Sequence, residues 1–190
     1  MADQKITDLT ALATPDPADV LAIVDDPAGA PATKKITADA LIYGLAALGE
    51  VYTNGGVGSQ TLTLQNTWYQ ITQIDSDCAC AVNTTPDAAN NKIQVDVTGL
   101  YTVSWQISFS GTGGRTFEVQ PRLDAAQLAN ATAARKLGVG GDVGSCGAIG
   151  TFDAAAVTAD VTLWVRCTSH AGADFDVQEL QLRIAKVAST

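Results

Sequence analysis

The sequence predicts a mainly β chain, an antiparallel jelly-roll sandwich preceded by a small α/β segment, and three observations carry that expectation. From residue 51 onward, apolar and polar residues alternate with period two in run after run. Gly, Asn and Asp cluster between those runs, and almost no helical period survives among them. The third observation is a shift in composition: residues 1–50 hold eight acids against three bases, whereas all three Trp and all four Cys lie beyond them. The chain therefore divides into a segment 1–50 and a domain 51–190.

In the first segment, Thr14-Pro15-Asp16-Pro17 is turn chemistry, because each proline fixes its own φ and pushes the residue before it out of the helical region. The apolar, β-branched run Val20-Leu21-Ala22-Ile23-Val24 stops at Asp25-Asp26-Pro27 and reads as a buried strand. A Gly/Ala/Pro loop over 28–32 leads to Lys34-Lys35-Ile36. Thr37 can then cap a helix over 38–48, with Asp39 in its first turn, Leu41, Leu45 and Leu48 on one stripe and Gly49 as its stop. One strand and one helix enclose little core, so the apolar residues are expected to dock on another surface. The expected particle-docking residues are Ile6, Leu9, Leu12, Val20, Leu21, Ile23, Ile36, Leu41 and Leu45.

In the domain, strands are expected at 61–64, 68–74, 92–97, 101–109, 116–123, 161–167 and 176–187. The run 101–109 is the clearest, with Tyr101, Val103, Trp105, Ile107 and Phe109 on one face and Thr102, Ser104, Gln106 and Ser108 on the other. In the last run Leu180, Leu182 and Ile184 alternate strictly, whereas Val177 and Val187 fall out of phase, which predicts a bulge or strand end on either side. Loops are expected at 83–91, 111–114, 138–150 and 169–174.

Composition limits the function. A net charge of −9 and the absence of basic clusters argue against nucleic acid and anionic membranes as partners. No run approaches the ~20 apolar residues of a span, so no membrane insertion is expected. The opening Met-Ala-Asp-Gln-Lys lacks the apolar core of a secretory signal, so synthesis and first folding are expected in a cytoplasm. A single His leaves little scope for acid–base chemistry near neutral pH.

No catalytic residue, metal or cofactor is expected. Cys78-Ala79-Cys80 has the wrong spacing for structural zinc, and on a strand its thiols would share a face and resist closing a disulfide, so these cysteines read as buried thiols. Pairing of Cys146 with Cys167 is left open. The run 138–144 lacks the Lys-Ser/Thr ending of a phosphate loop. Ser169, His170 and Asp174 or Asp176 fall in an expected exposed loop, unsuited to a triad. The acid pairs Asp75/Asp77 and Asp174/Asp176 lack the length of a calcium loop.

The stretch Val97-Thr98-Gly99-Leu100-Tyr101-Thr102-Val103-Ser104-Trp105 resembles the Gly-x-Tyr strand of the complement-head and tumour-necrosis-factor-like jelly rolls. Asp160-Val161-Thr162-Leu163-Trp164-Val165 and Gln181-Leu182-Arg183-Ile184-Ala185-Lys186-Val187 are similar to the closing strands of bacteriophage members of that superfamily. Lys5-Ile6-Thr7-Asp8-Leu9-Thr10-Ala11-Leu12, Val20 to Asp25, Thr33-Lys34-Lys35-Ile36-Thr37 and Leu41 resemble the N-terminal particle-attachment segment of many phage fibre and virion proteins. Together the resemblances imply a homotrimeric phage structural protein in the virion, attached through its N-terminal part to capsid or tail proteins, with the jelly roll outward. No collagen-like, coiled-coil or triple-β shaft separates the two parts, which favours a capsid decoration or cement protein or a short head fibre over a long tail fibre. The outward strand positions carry Thr, Ser, Gln and Ala, side chains suited to packing copy against copy. The alternative is a receptor-binding tip recognising host surface glycan, although the loops 83–91 and 138–150 contain no aromatic residue.

Overall fold

The structure is a computed structural model that describes residues 20–25, 32–37, 46–56 and 58–189. The chain divides into two compact units, Met1–Leu45 and Ala46–Thr190.

In the first unit β1 (Val20–Asp25) forms on the expected apolar run and pairs antiparallel with β2 (Ala32–Thr37), Leu21 opposite Ile36 and Ile23 opposite Lys34. The second strand is not among the expected elements; it begins at Ala32, where the expected loop over 28–32 ends, and residues 28–31 and those that Thr37 would cap lie outside the described residues. Thr37 ends a strand opposite Val20, and a paired neighbour gives the β-branched Ile36 and Thr37 an extended setting that their side chains favour. Of the helix expected over 38–48, residues 38–45 lie outside the described residues. Its end is overturned, because Ala46 and Ala47 are not helical and Leu48 opens β3 (Leu48–Asn54). Gly49 is thus a strand residue rather than a helix stop.

The second unit is an antiparallel sandwich. Its remaining strands are β4 (Ser59–Leu62), β5 (Tyr69–Gln70), β6 (Ser76–Asp77), β7 (Thr84–Asp87), β8 (Lys92–Val95), β9 (Gly99–Gly111) and β10 (Thr116–Leu123). β11 (Ala126–Gln127), β12 (Ala133–Lys136), β13 (Gly144–Ala154), β14 (Ala159–Cys167) and β15 (Ala173–Ala188) follow. The first sheet runs β13-β9-β15-β3-β6 with β4 on β15, and the second runs β11-β10-β14-β8-β7 with β12 on β10 and β5 on β14. Strands β8, β10 and β14 of one sheet alternate along the chain with β9, β13 and β15 of the other, which is the wrapping of a jelly roll.

The core lies between the sheets. The inward row of β9, from Tyr101 to Phe109, meets Val161, Leu163 and Val165 of β14. Phe109, Phe117 and Phe175 form an aromatic triad with ring centroids 4.8 to 5.5 Å apart. The register of β15 on β9 shifts between Val177 and Glu179 and again between Lys186 and Ala188, where the phase of the apolar residues had changed.

Among the boundaries that depart from expectation, three bear on the two faces. Residues 144–150, expected as loop, belong to β13, whose inward residues Gly144, Cys146, Ala148 and Gly150 are too small to produce an apolar signal. The expected loop 83–91 contains β7. The expected strand 68–74 pairs only at Tyr69–Gln70, because Gln73 turns its side chain into the sandwich instead. Its amide group donates to the Gly58 and Phe175 carbonyls and accepts the Val177 N–H at 2.8 Å.

Candidate functional site

Of the expected docking residues, Ile6, Leu9, Leu12, Leu41 and Leu45 lie outside the described residues. Val20, Leu21 and Ile23 belong to β1, and Ile36, half-buried, belongs to β2 opposite Leu21. By register Leu21, Ile23 and Ile36 share one face of the hairpin and Val20, opposite Thr37, falls on the other.

The outward face of the first sheet is set by its four longest neighbouring strands. Register sets it out in four rows across β13, β9, β15 and β3. They are Ser145, Ser108, Glu179, Asn54; then Gly147, Gln106, Gln181, Tyr52; then Ile149, Ser104, Arg183, Glu50; then Thr151, Thr102, Ala185, Leu48. Within these rows Glu50, Glu179 and Arg183 carry charge, and Asp153 of β13 with Asp174 and Asp176 of β15 add acids toward the ends of the same face. Gln106 donates to Gln181 at 3.3 Å, and Gln181 donates to Glu50 at 3.0 Å. A depression of about 680 Å³ opens above Gly147 and Ser108, lined by Tyr52, Gln106, Ser145 and Gln181. Ile149 beside it is 71% exposed. Sequence reasoning missed the β13 contribution; alternation of Gly, Cys and Ala with Ser, Gly and Ile was the available signal.

The second sheet presents a different outer face, with ion pairs Lys92–Asp160 at 2.9 Å and Arg166–Glu118 at 2.6 Å. The hydrogen bond that Lys92 donates to the Asp160 carboxylate raises the Lys92 pKa.

The groups weighed for chemistry are separated or already engaged. Cys78 and Cys80 form a disulfide, which corrects the expectation of thiols. They lie in a turn after β6, where the chain folds their Cα atoms to 5.3 Å instead of extending them along a strand. Cys146 and Cys167 remain unpaired, on strands of opposite sheets. Burial pushes the Cys146 thiol up to about 11, against a smaller lowering by Arg135. Ser169 accepts the Thr116 N–H while His170 is exposed, so no triad forms. Asp77 accepts the Ala88 N–H and Asp174 the Thr61 hydroxyl, and among the described residues no three His, Cys, Asp or Glu gather as a metal cluster. In the loop after β12, Asp142 accepts the Gly138 N–H at 2.7 Å, closing the glycine run on itself.

No family model matches the chain, and no curated protein matches it in sequence. Solved structures resemble it at low identity. A crystal structure of murine APRIL is 13% identical, with 75% of this chain and 99% of that chain covered and a TM-score of 0.48. The PRD1 vertex protein P5 is 10% identical, with coverages of 87% and 82% and a TM-score of 0.48. Eiger TNF from S. frugiperda is 13% identical, with coverages of 76% and 95% and a TM-score of 0.49.

Proposed function

We propose that this chain is a non-enzymatic virion protein, a homotrimer that decorates or cements a phage particle or forms a short head fibre. It assembles in the bacterial host cytoplasm, docks through its first unit and displays the jelly roll. The contrast between the two sheet faces carries the reading. Burying a charge in an interface costs several kcal/mol unless it is paired; the rows of the first sheet are rich in Ser, Thr, Gln and Gly, and their Glu50, Glu179 and Arg183 are of both signs and can pair between copies, whereas the ion pairs of the second sheet are already closed within one copy. Copies packed through the first face would place three docking segments on one assembly, so that weak attachments add as avidity. The docking residues remain the nine apolar positions from Ile6 to Leu45 identified in the sequence. A fibre tip recognising host glycan is the second reading, favoured by two half-exposed tryptophans, Trp68 and Trp164, on the second sheet.

Sedimentation equilibrium of the full chain is expected to give three times the 19.6 kDa chain mass. The pair Gln106→Glu and Ser145→Glu, adding carboxylates near Glu50 and Glu179, is expected to yield monomer. An unaltered trimer in that variant assigns the interface elsewhere. Removing residues 1–45 is expected to leave a trimer that no longer co-sediments with particles; retained co-sedimentation would reject docking through the first unit.

A further inference from the structure

On the outer face of the second sheet, β10, β14 and β5 lie side by side. Glu118 faces Arg166, Gln120 faces Trp164 and Arg122 faces Thr162, with Gln70 on the far side of Trp164. The Trp164 Nε1–H donates to Thr162 Oγ1 at 2.8 Å, which lays the indole along the strand toward Arg122. The Arg122 guanidinium carbon sits 4.2 Å from the Trp164 ring centre and 5.7 Å from that of Trp68. Arg166 stacks on Trp68 at 4.7 Å.

The two arginines differ in one respect. Arg166 is matched by Glu118, through Nη2 at 2.6 Å and Nε at 2.7 Å. Arg122 makes no ion pair among the described residues, and its Nε is buried without an acceptor. Burial also lowers its basicity. On the same strand face Gln120 Oε1 is buried without a donor, although its amide nitrogen donates to Thr132. An unmatched cation, an unmatched acceptor and two half-exposed indoles thus share one patch, and unmade hydrogen bonds of this kind are costly.

We infer that this patch binds a glycan carrying a single carboxylate, a hexuronic or sialic acid. Arg122 forks onto the carboxylate in the planar geometry that guanidinium favours, and the indoles exclude water from that pair. The C–H face of the pyranose packs on the exposed edges of the indole wall, with Gln120 Oε1 buried beneath the site. A chain of net charge −9 with one uncompensated cation in the patch disfavours phosphate-rich ligands. A neutral sugar leaves Arg122 unmatched, and an acidic peptide offers neither the pyranose face nor its array of hydroxyls. This ligand class rests on the glycan reading, but the site depends neither on trimerisation nor on particle attachment.

The full chain is titrated with N-acetylneuraminic acid and glucuronic acid, and with glucose and glucuronamide as neutral controls, by tryptophan fluorescence and ligand-observed NMR. At least one acid is expected to bind about tenfold or more tightly than the neutral sugars, and Arg122→Gln to lose about tenfold or more. Arg122→Lys keeps the charge and stem but not the fork, so it decides the matter if Arg122→Gln fails to fold; it too is expected to bind more weakly. Arg183→Gln, on the other sheet, is expected to bind as the parent does. Binding of neither acid, equal binding of glucose, unchanged binding by both Arg122 variants, or tighter binding of an aspartate-rich peptide would overturn the site. If the acids bind as expected and the protein fails to adsorb to host cells, the site stands and the tip role falls.

Discussion

Gly49 shows how closely single atoms set the spacing of the two sheets. A Cβ built there would lie 2.5 Å from Thr84 Oγ1 and 2.8 Å from Ile93 Cγ2, both on strands of the opposite sheet. Thr84 is not free to move aside, since its hydroxyl donates to the Leu48 carbonyl at 2.6 Å. Gly49→Val is therefore expected to cost about 1–3 kcal/mol by overpacking. Calorimetry should show a melting temperature lower by roughly 2–4 °C per kcal/mol. An unchanged transition would mean that the sheets separate more readily at this end than the contacts imply. The same glycine explains a misreading: beside an apolar leucine stripe it has the signature of a helix stop, and only the tertiary contact reveals it as a strand position. Cys78 and Cys80 were misread for a related reason, because their pairing depends on a turn that the sequence around Ala79 does not announce.

At the scale of elements, legibility followed side-chain size. β9 was plain because five large apolar residues alternate along it, all of them buried. β13 pairs with it over its whole length yet was invisible, since its inward Gly, Cys and Ala contribute space rather than apolar bulk. The segment 68–74 alternates well but leaves the sheet, because Gln73, 5% exposed, supplies to β15 the hydrogen bonds that a neighbouring strand would have made. The Thr53 hydroxyl in turn donates to the Gln73 carbonyl, so side chain and backbone are both held. Gln73→Leu is expected to strand the Val177 N–H and the Phe175 carbonyl at a cost of about 1–3 kcal/mol. Urea denaturation should show a lower midpoint with an unchanged m-value, and hydrogen exchange at the Val177 amide should accelerate. Exchange as slow as in the parent would mean that another group caps the β15 bulge. Of the candidate surfaces, the β9 and β15 portions of the first face were legible as Thr, Ser and Gln alternation. The Trp–Arg patch was not, because Trp68, Arg122 and Trp164 are far apart in sequence and meet only through the pairings of β14.

At the scale of the whole molecule, the same low-charge interior that joins the sheets also sets how the unit responds to alkali. Tyr101 is fully buried on β9, donates to the Val97 carbonyl at 2.7 Å and has its pKa raised from the ordinary 10.0 to about 12, chiefly by burial and then by Asp96. Cys146, packed against the core from β13, rises from 9.0 to about 11. Each folded pKa lies above its unfolded value, so the folded state retains protons that the unfolded chain has released. Their contribution is complete below the unfolded values. It declines as pH rises from about 9 for the thiol and about 10 for the phenol, and is exhausted once pH passes about 11 and about 12. Each group lowers stability by at most about 1.4 kcal/mol per pH unit inside its window. Urea midpoints measured from pH 7 to pH 11.5 should therefore fall above about pH 9. Cys146→Ala should remove the earlier part of that fall and leave the part due to Tyr101. Absorbance at 295 nm gives an independent reading: one of the four tyrosines should ionise only as the unit opens. If the Tyr101 phenol ionised while the protein remained folded, its ring would be reached by water, and the sandwich would be looser at this end than its packing indicates.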